Sequence, residues 1–312
     1  MSELFEDRAA SPMLIGAQSE PFDDPDCLFE LKLDGERCLA YLGGGVTELR
    51  NKRNNRLGPK FPELDGLHRQ VSGRCILDGE LTVLQGGKPS FSALLRRTLA
   101  SGTGLRAQLR AQQAPANFTA FDILYLDGQT LTGLPLTERK ALLAKTVAEG
   151  DRLALSRYIE GRGKAFFALA AEQELEGIVA KRKDSLYRMG RRTADWIKIK
   201  NLLDGDYVVC GWVPKSGGMT SVALGQYGGD GALHYKGHVT LGVSGAAFRR
   251  IREQPPAGCP FTKLPAGNEE TVWLRPALVC TVSYMQKTAS GGLRQPVFKG
   301  LRTDKRPEDC VE

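Results

Sequence analysis

The 312-residue chain is 41% hydrophobic and 25% charged, with 43 Lys and Arg against 36 Asp and Glu, a formal net charge of +7. That apolar fraction builds real cores and excludes a disordered chain, and the length suggests two domains of roughly 100–200 residues each. No stretch approaches the ~18 consecutive apolar residues of a membrane helix, and the acid-containing start shows no signal peptide. Seven scattered cysteines without a C-x-x-C pair read as reduced cytoplasmic thiols, neither a disulfide frame nor a zinc site.

In chain order, β-branched and aromatic runs predict strands at 27–33, 36–42 and 74–84, followed by a helix at 90–100. A strand at 118–126 precedes a helix at 137–149, for which Thr137 after Pro135 offers an N-cap. A strand at 153–159, a helix at 163–175 and strands at 176–181 and 195–200 complete this part. Regular βαβ alternation is missing, so the fold class is α+β with antiparallel sheets. After Asn201-Leu202-Leu203-Asp204-Gly205 the character changes. Short strands separated by Gly-rich turns fill 206–243; one helix, a Pro-rich stretch and a strand at 271–284 follow. About one hundred residues of this kind fit a five-stranded OB-type barrel. The expected domains are 1–203 and 204–312.

The candidate chemistry follows by exclusion and pattern. No G-x-x-x-x-G-K-[ST] phosphate loop is present, and three histidines (His68, His234, His238) are too few for a His-led triad or a His-rich metal site. A lysine chemistry supported by carboxylates remains. In Glu30-Leu31-Lys32-Leu33-Asp34-Gly35-Glu36-Arg37, strand alternation puts Glu30, Lys32 and Asp34 on one side, and the Gly35 turn can return Arg37 to the same pocket. Asp78-Gly79-Glu80, Phe121-Asp122, the run Glu176 to Lys181, and Lys198 and Lys200 on one strand face come after it. Singly, each is an ordinary turn, core pair or polar face. Together, in this order, they are specific. Residues 181–200 hold eight bases and two acids, and a second basic run carries Arg294, Lys299, Arg302, Lys305 and Arg306. Such clustering suits a solvated face or a polyanionic partner.

These segments carry a resemblance. FELKLDGER, LRNKRNN, ILDGELTVL, FDILYLDGQTLTGLPLTERKALL, EGIVAKRKDSLYRMGRRTADWIKIK and LRQPVFKGLRTDK span residues 29–305. The chain resembles the covalent nucleotidyltransferases, and within them the bacterial ATP-dependent DNA ligases of the LigD ligase-domain type and their stand-alone, LigC-like relatives. The resemblance implies a nucleotidyltransferase (adenylation) domain followed by an OB domain. It implies that Lys32 takes AMP from ATP as a phosphoramidate, passes it to the 5′-phosphate of a DNA break, and that a 3′-hydroxyl then displaces AMP. In that reading Lys32, Asp34, Lys198 and Lys200 are catalytic, and attack requires the neutral amine. Glu30 lies near adenine, Arg37 and Glu80 near the ribose, and Phe121 and Val179 sandwich the base. Lys198 and Lys200 neutralise the α-phosphate, and Glu80 and Glu176 hold Mg2+, with Mn2+ as the other candidate.

The same resemblance gives Arg53 to the 5′-phosphate, Arg188, Arg191 and Arg192 to DNA, and Arg302 and Lys305 to the departing pyrophosphate. Residues 201–205 become the hinge between the domains. Asn55 stands where the family carries glycine after its Arg-Asn pair, a position asparagine tolerates. The thirty or so residues before Lys32 leave no room for a separate DNA-binding domain, so the two domains are expected to grip DNA themselves. The implied partner is nicked duplex DNA, with no membrane. A monomer at the bacterial nucleoid in the cytoplasm, serving DNA repair, completes the expectation; a Ku-like protein is a partner that the sequence does not reveal. An RNA ligase, a capping guanylyltransferase and a catalytically idle nucleic-acid-binding module are the competing readings.

Overall fold

The computed structural model of the chain describes residues 4–214, 221–288 and 290–312. It divides into two compact units, Met1–Asn201 and Leu202–Glu312, two residues ahead of the boundary expected from composition.

In chain order the first unit carries β1 (Leu14–Gln18), β2 (Asp24–Leu31), β3 (Glu36–Gly43), β4 (Val46–Asn51), β5 (Cys75–Gln85) and β6 (Lys88–Pro89). Helices α1 (Phe91–Leu99) and α2 (Leu105–Gln113) follow, then β7 (Ala116–Leu126), β8 (Gln129–Thr130) and α3 (Leu136–Thr146). β9 (Leu153–Leu155), β10 (Tyr158–Gly161), α4 (Gly163–Glu172), β11 (Gly177–Arg182) and β12 (Arg192–Lys200) complete it. One sheet runs β4-β3-β5-β7-β8, with β6 on β5 and β9 on β7; the other runs β1-β12-β11-β2-β10. Among the described residues the pairs β1–β12 and β7–β9 are parallel and the other ladders antiparallel, in keeping with the α+β class.

Alternation sorts the second sheet into two faces. Phe29, Ile178, Ala180 and Ile199 point to one side, where Ala170 of α4 packs on them. Val179 and Trp196 point to the other, into a cluster shared with Leu39, Tyr41, Ile76 and Phe121 of the first sheet. Arg37 and Lys181 lie directly over the Phe121 and Trp196 rings of this cluster, so cations and apolar side chains meet between the two sheets.

Three local expectations change. β1, β4 and α2 escape the sequence patterns, and the single strand expected at 153–159 is β9 and β10, which belong to different sheets. Helix α3 starts at Leu136 with Pro135 as N-cap and no side-chain cap, so Thr137 lies inside it. Proline's fixed φ, here −55°, suits a helix entry, and the first-turn N–H of Thr137 is taken by the Lys183 carbonyl at 3.2 Å.

The second unit consists of β13 (Leu203–Val213), β14 (Ser221–Tyr227), β15 (Leu233–Val239), α5 (Gly245–Arg252), β16 (Val272–Tyr284), β17 (Gln286–Lys287), β18 (Leu293–Arg294) and β19 (Val297–Arg302). Its antiparallel five-stranded sheet runs β15-β14-β13-β16-β19, around a core of Tyr207, Val209, Leu224, Val282 and Phe298 that receives Ile251 from α5. β13 begins early: Leu203, Asp204 and Gly205 already pair with Tyr284, Ser283 and Val282. Asn201 is tied by its N–H to the Glu176 carbonyl and by its amide to Leu175. Of the five residues expected as a hinge, Leu202 alone lies outside these ties.

Candidate active site

Strand register assembles the first half of the site. Glu30 on β2, Val179 on β11 and Lys198 on β12 are direct cross-strand neighbours, so their side chains share one face. Lys200 pairs with Gly177, one step along the same face. Gly177 has φ +130°, and a Cβ there would lie 2.1 Å from the Ile199 carbonyl oxygen, so only glycine permits this strand entry. Its carbonyl accepts the Lys32 N–H at 2.9 Å. Lys32 thus sits just past the end of β2, and its ammonium reaches Glu176 Oε1 at 2.6 Å. The alternation expected for Glu30, Lys32 and Asp34 does not run through: β2 ends at Leu31, and Lys32 to Gly35 form the turn into β3.

Glu30 is buried between two lysines, with Lys140 at 2.6 Å and Lys181 at 3.1 Å, and accepts the Ser156 hydroxyl at 2.7 Å. Burial alone would raise its carboxyl, but the two lysines and Ser156 outweigh it and hold the group below the ordinary range. For Lys181 burial wins and pulls the amine down to about 8.

The other sheet supplies Arg37, Glu80 and Phe121. Arg37 on β3 pairs with Glu80 on β5 in register. Its guanidinium is clamped by Asp78 through two 2.6 Å bonds, and Asp78 also accepts the Tyr187 hydroxyl at 2.5 Å. Burial raises Glu80 to about 8, against the pull of Arg37 and Lys32 and with the push of Asp78 and Glu176. Phe121 is the odd residue of a β-bulge: Ala120 pairs with Gly79 and Asp122 with Asp78, leaving Phe121 without an opposite residue. Bulges re-aim side chains in this way. Phe121 and Val179 meet in one buried cluster, 8% and 7% exposed, so the slot between them is closed to solvent. The Phe121 ring already carries Arg37 at 4.4 Å and Lys181 at 4.2 Å.

A cleft of about 400 Å³ is lined by Gly35, Arg37, Lys52, Arg53, Glu80 and Thr98, among others. The loop that brings Lys52 and Arg53 to it is built on Asn51, whose Oδ1 accepts the N–H groups of Arg53 and Asn55, both at 3.0 Å. Asn51 in turn donates to Glu36 at 3.1 Å. The left-handed residue of the loop is Asn54, with φ +64°, one position before the Asn55 matched above to the family's glycine.

Arg188, Arg191 and Arg192 are exposed, and Arg192 also donates to the Ile15 carbonyl at 2.6 Å. In the second unit Arg302 and Lys305 both bind Asp206, at 3.1 and 2.8 Å.

With this geometry in place, comparison with known proteins is decisive. Residues 12–200 match the ATP dependent DNA ligase domain, and residues 215–305 match the ATP dependent DNA ligase C terminal region. The chain belongs to the ATP-dependent DNA ligases.

Within this family it is 34% identical over 297 residues to the multifunctional non-homologous end joining DNA repair protein LigD of Mycobacterium tuberculosis, covering 91% of this chain and 37% of that protein. The chain therefore spans little more than a third of the LigD relatives. The SPbeta prophage-derived DNA ligase-like protein LigB of Bacillus subtilis is 30% identical, over 94% of this chain and 98% of its own. Mycobacterial DNA ligase D complexed with ATP and MES superimposes with a TM-score of 0.55 at 31% identity, covering 97% of this chain and 98% of that one. The nucleotidyltransferase and OB folds of the two units follow from this likeness.

For this ligase family member, several residues around the site had no role in the sequence reading. Asp78, itself held by the Tyr187 hydroxyl, anchors Arg37, Lys140 and Lys181 hold Glu30, and Arg139 locks Asp122 beside Phe121. Asp78 and Lys181 stood inside quoted motifs, so their presence was visible; their pairings are long-range and were not.

Proposed function

We propose that the chain seals breaks in duplex DNA with ATP through an AMP carried on Lys32. The observation that carries this reading is the Lys32–Glu176 pair at the mouth of a face that presents Glu30, Val179, Lys198 and Lys200. In the first step the neutral Lys32 amine attacks the α-phosphorus, its bond to the bridging oxygen breaks, and pyrophosphate leaves while the amine gives its proton to solvent. In the second, an oxygen of the DNA 5′-phosphate attacks the adenylyl phosphorus and releases Lys32. In the third, the 3′-hydroxyl attacks the activated 5′-phosphorus, and AMP departs. Lys198 and Lys200 stabilise the charge that grows on the α-phosphate oxygens.

Glu30 meets the exocyclic amine of adenine, and Arg37 and Glu80 meet the ribose. The base enters between Phe121 and Val179, which requires the cations resting on the ring to give way. Asp34 holds the Lys32 turn. Glu80 and Glu176, acidic neighbours that repel one another, suit a divalent cation. No third His, Cys, Asp or Glu among the described residues joins them in a metal cage, so phosphate and water oxygens would complete the shell, as magnesium prefers and manganese accepts. Such an ion would withdraw charge from the α-phosphate. Lys52, Arg53 and the exposed Arg188, Arg191 and Arg192 meet DNA phosphates, and Arg302 and Lys305 meet pyrophosphate.

The names of the LigD relatives, which speak of end joining and DNA repair, support a role in break repair; we propose that the protein works as a monomer at the nucleoid in the cytoplasm, with a Ku-like protein as the partner to seek by co-precipitation. No helix among the described residues is long and apolar enough to cross a membrane. The test is sealing of singly nicked duplexes with a DNA or an RNA strand at the nick, with ATP or GTP. Sealing of the DNA nick with ATP alone is expected. Preference for the RNA strand, or activity with GTP, would replace the reading by RNA ligation or capping.

A further inference from the structure

The two cations assigned to pyrophosphate are already engaged inside the second unit. Arg302 Nη1 and Lys305 Nζ converge on a single atom, Oδ2 of Asp206, at 3.1 and 2.8 Å. The other carboxylate oxygen accepts the Thr281 hydroxyl at 2.7 Å, which fixes its orientation. The remaining edge of the Arg302 guanidinium, Nε and Nη2, is taken by Asp304 at 3.0 and 2.5 Å. Burial would raise the Asp206 carboxyl, but Lys305, Thr281 and Arg302 hold it below the ordinary range, so it is ionised at neutral pH. Two cationic nitrogens converging on one oxygen is an arrangement that a phosphate oxygen can accept as well as a carboxylate one. Here a carboxylate fills it.

We propose that Asp206 is a specificity-determining residue, a built-in competitor that withholds Arg302 and Lys305 from singly charged phosphodiesters and yields them to a multiply charged polyphosphate. The inference rests on the ligase reading above. A backbone phosphate carries the same single charge as the carboxylate but must compete with a tethered group at high effective concentration. Pyrophosphate carries more charge on adjacent oxygens, and its Coulomb attraction to the pair is correspondingly larger. Asp206 thereby keeps the motif clear of DNA, the polyanion that this protein meets in excess.

The experiment uses the full chain and the reverse of the first step. Preformed enzyme–AMP is mixed with inorganic pyrophosphate; a pyrophosphate oxygen attacks the adenylyl phosphorus, the P–N bond breaks, Lys32 regains its proton and ATP is released. For Asp206→Asn the half-saturating pyrophosphate concentration should fall about threefold to tenfold with little change in maximal rate, as expected for removal of one partly exposed competing charge. Binding of unbroken duplex DNA should become steeper in log salt by about one to two, for one or two added phosphate contacts. An unchanged half-saturation and salt slope would reduce Asp206 to a structural residue, and a raised half-saturation would make it an organiser of the pair; either overturns the proposal. Should Asp206→Asn fail to fold, Thr281→Val, which removes the hydroxyl that orients the carboxylate, must shift half-saturation the same way by less, and no shift would overturn the proposal. Absence of enzyme–AMP in the unaltered protein would condemn the ligase reading itself, a different result from an unresponsive Asp206→Asn.

Discussion

Arg139 grips Asp122 through both carboxylate oxygens, at 2.8 and 2.9 Å, and both side chains are fully buried. The same guanidinium donates to the carbonyls of Leu134 and Ser185, so one residue ties α3, β7 and the segment leading to Tyr187. Removing one partner of such a pair strands a buried charge. Asp122→Asn should cost about 3–5 kcal/mol of stability. Urea unfolding is the check, through a lower midpoint at unchanged slope; a loss under about 1 kcal/mol would mean that the pair is dispensable.

Lys181 gives a pH signature. Burial pulls its amine to about 8, well below an unfolded lysine near 10.4. Below pH 8 both states hold the proton and the burial penalty is constant. From about pH 8 to 10 the unfolded chain holds more protons than the native one, so this group makes stability rise with pH. Lys181→Met should remove that rise. The measurement is the difference in unfolding free energy between the two proteins at pH 7.5 and 9.5, in which the tyrosines and cysteines common to both cancel. A difference independent of pH would count against a buried, partly deprotonating Lys181.

The loop on Asn51 sets up a contest between two bases. The family pattern puts its arginine two residues before a glycine; the left-handed residue here is Asn54, and Lys52, not Arg53, stands two residues before it. Lys52→Ala should slow sealing of a 5′-phosphorylated nick about tenfold or more, with Arg53→Ala affected less and self-adenylation near normal in both. Sealing rates on pre-adenylated and ordinary nicks decide; the reverse ranking would restore Arg53.

Salt tests the exposed basic run. Each phosphate contact adds about 0.9 to the slope of log affinity against log salt. Arg191→Ala should flatten that slope by about this amount for nicked DNA. Arg192→Ala should do so too and, because its guanidinium holds the Ile15 carbonyl, also loosen β1. Unchanged slopes would make the run a solvated face.

These cases show which features were legible beforehand. The alternation Asp195-Trp196-Ile197-Lys198-Ile199-Lys200 put both lysines on one face, and the strand shows them there, because period two is a local property of the backbone. The change of composition puts a boundary near Asp204, and the division between the two compact units lies two residues before it. Phe121 was identified by its neighbours in sequence, yet the bulge that aims it depends on the register of β5 against β7, which no local pattern encodes. β1 was missed because a five-residue parallel edge strand has too few positions to show a period. Asp78 as partner of Arg37, Asp206 of Arg302 and Lys181 of Glu30 lie 41 to 151 residues away in sequence, where pairwise electrostatics cannot be read without the fold.

The measurement that bears hardest on the whole account is covalent labelling of Lys32. The protein is incubated with magnesium and ATP labelled at the α-phosphate, and the labelled residue is located by peptide mapping; Lys32→Ala is then assayed for labelling and for sealing of a nick that already bears AMP. Label on Lys32, none on Lys32→Ala, and retained sealing of the pre-adenylated nick by that variant are expected, since the third step does not use the amine as nucleophile. Label on any other residue, or covalent AMP on Lys32→Ala, would contradict the assignment.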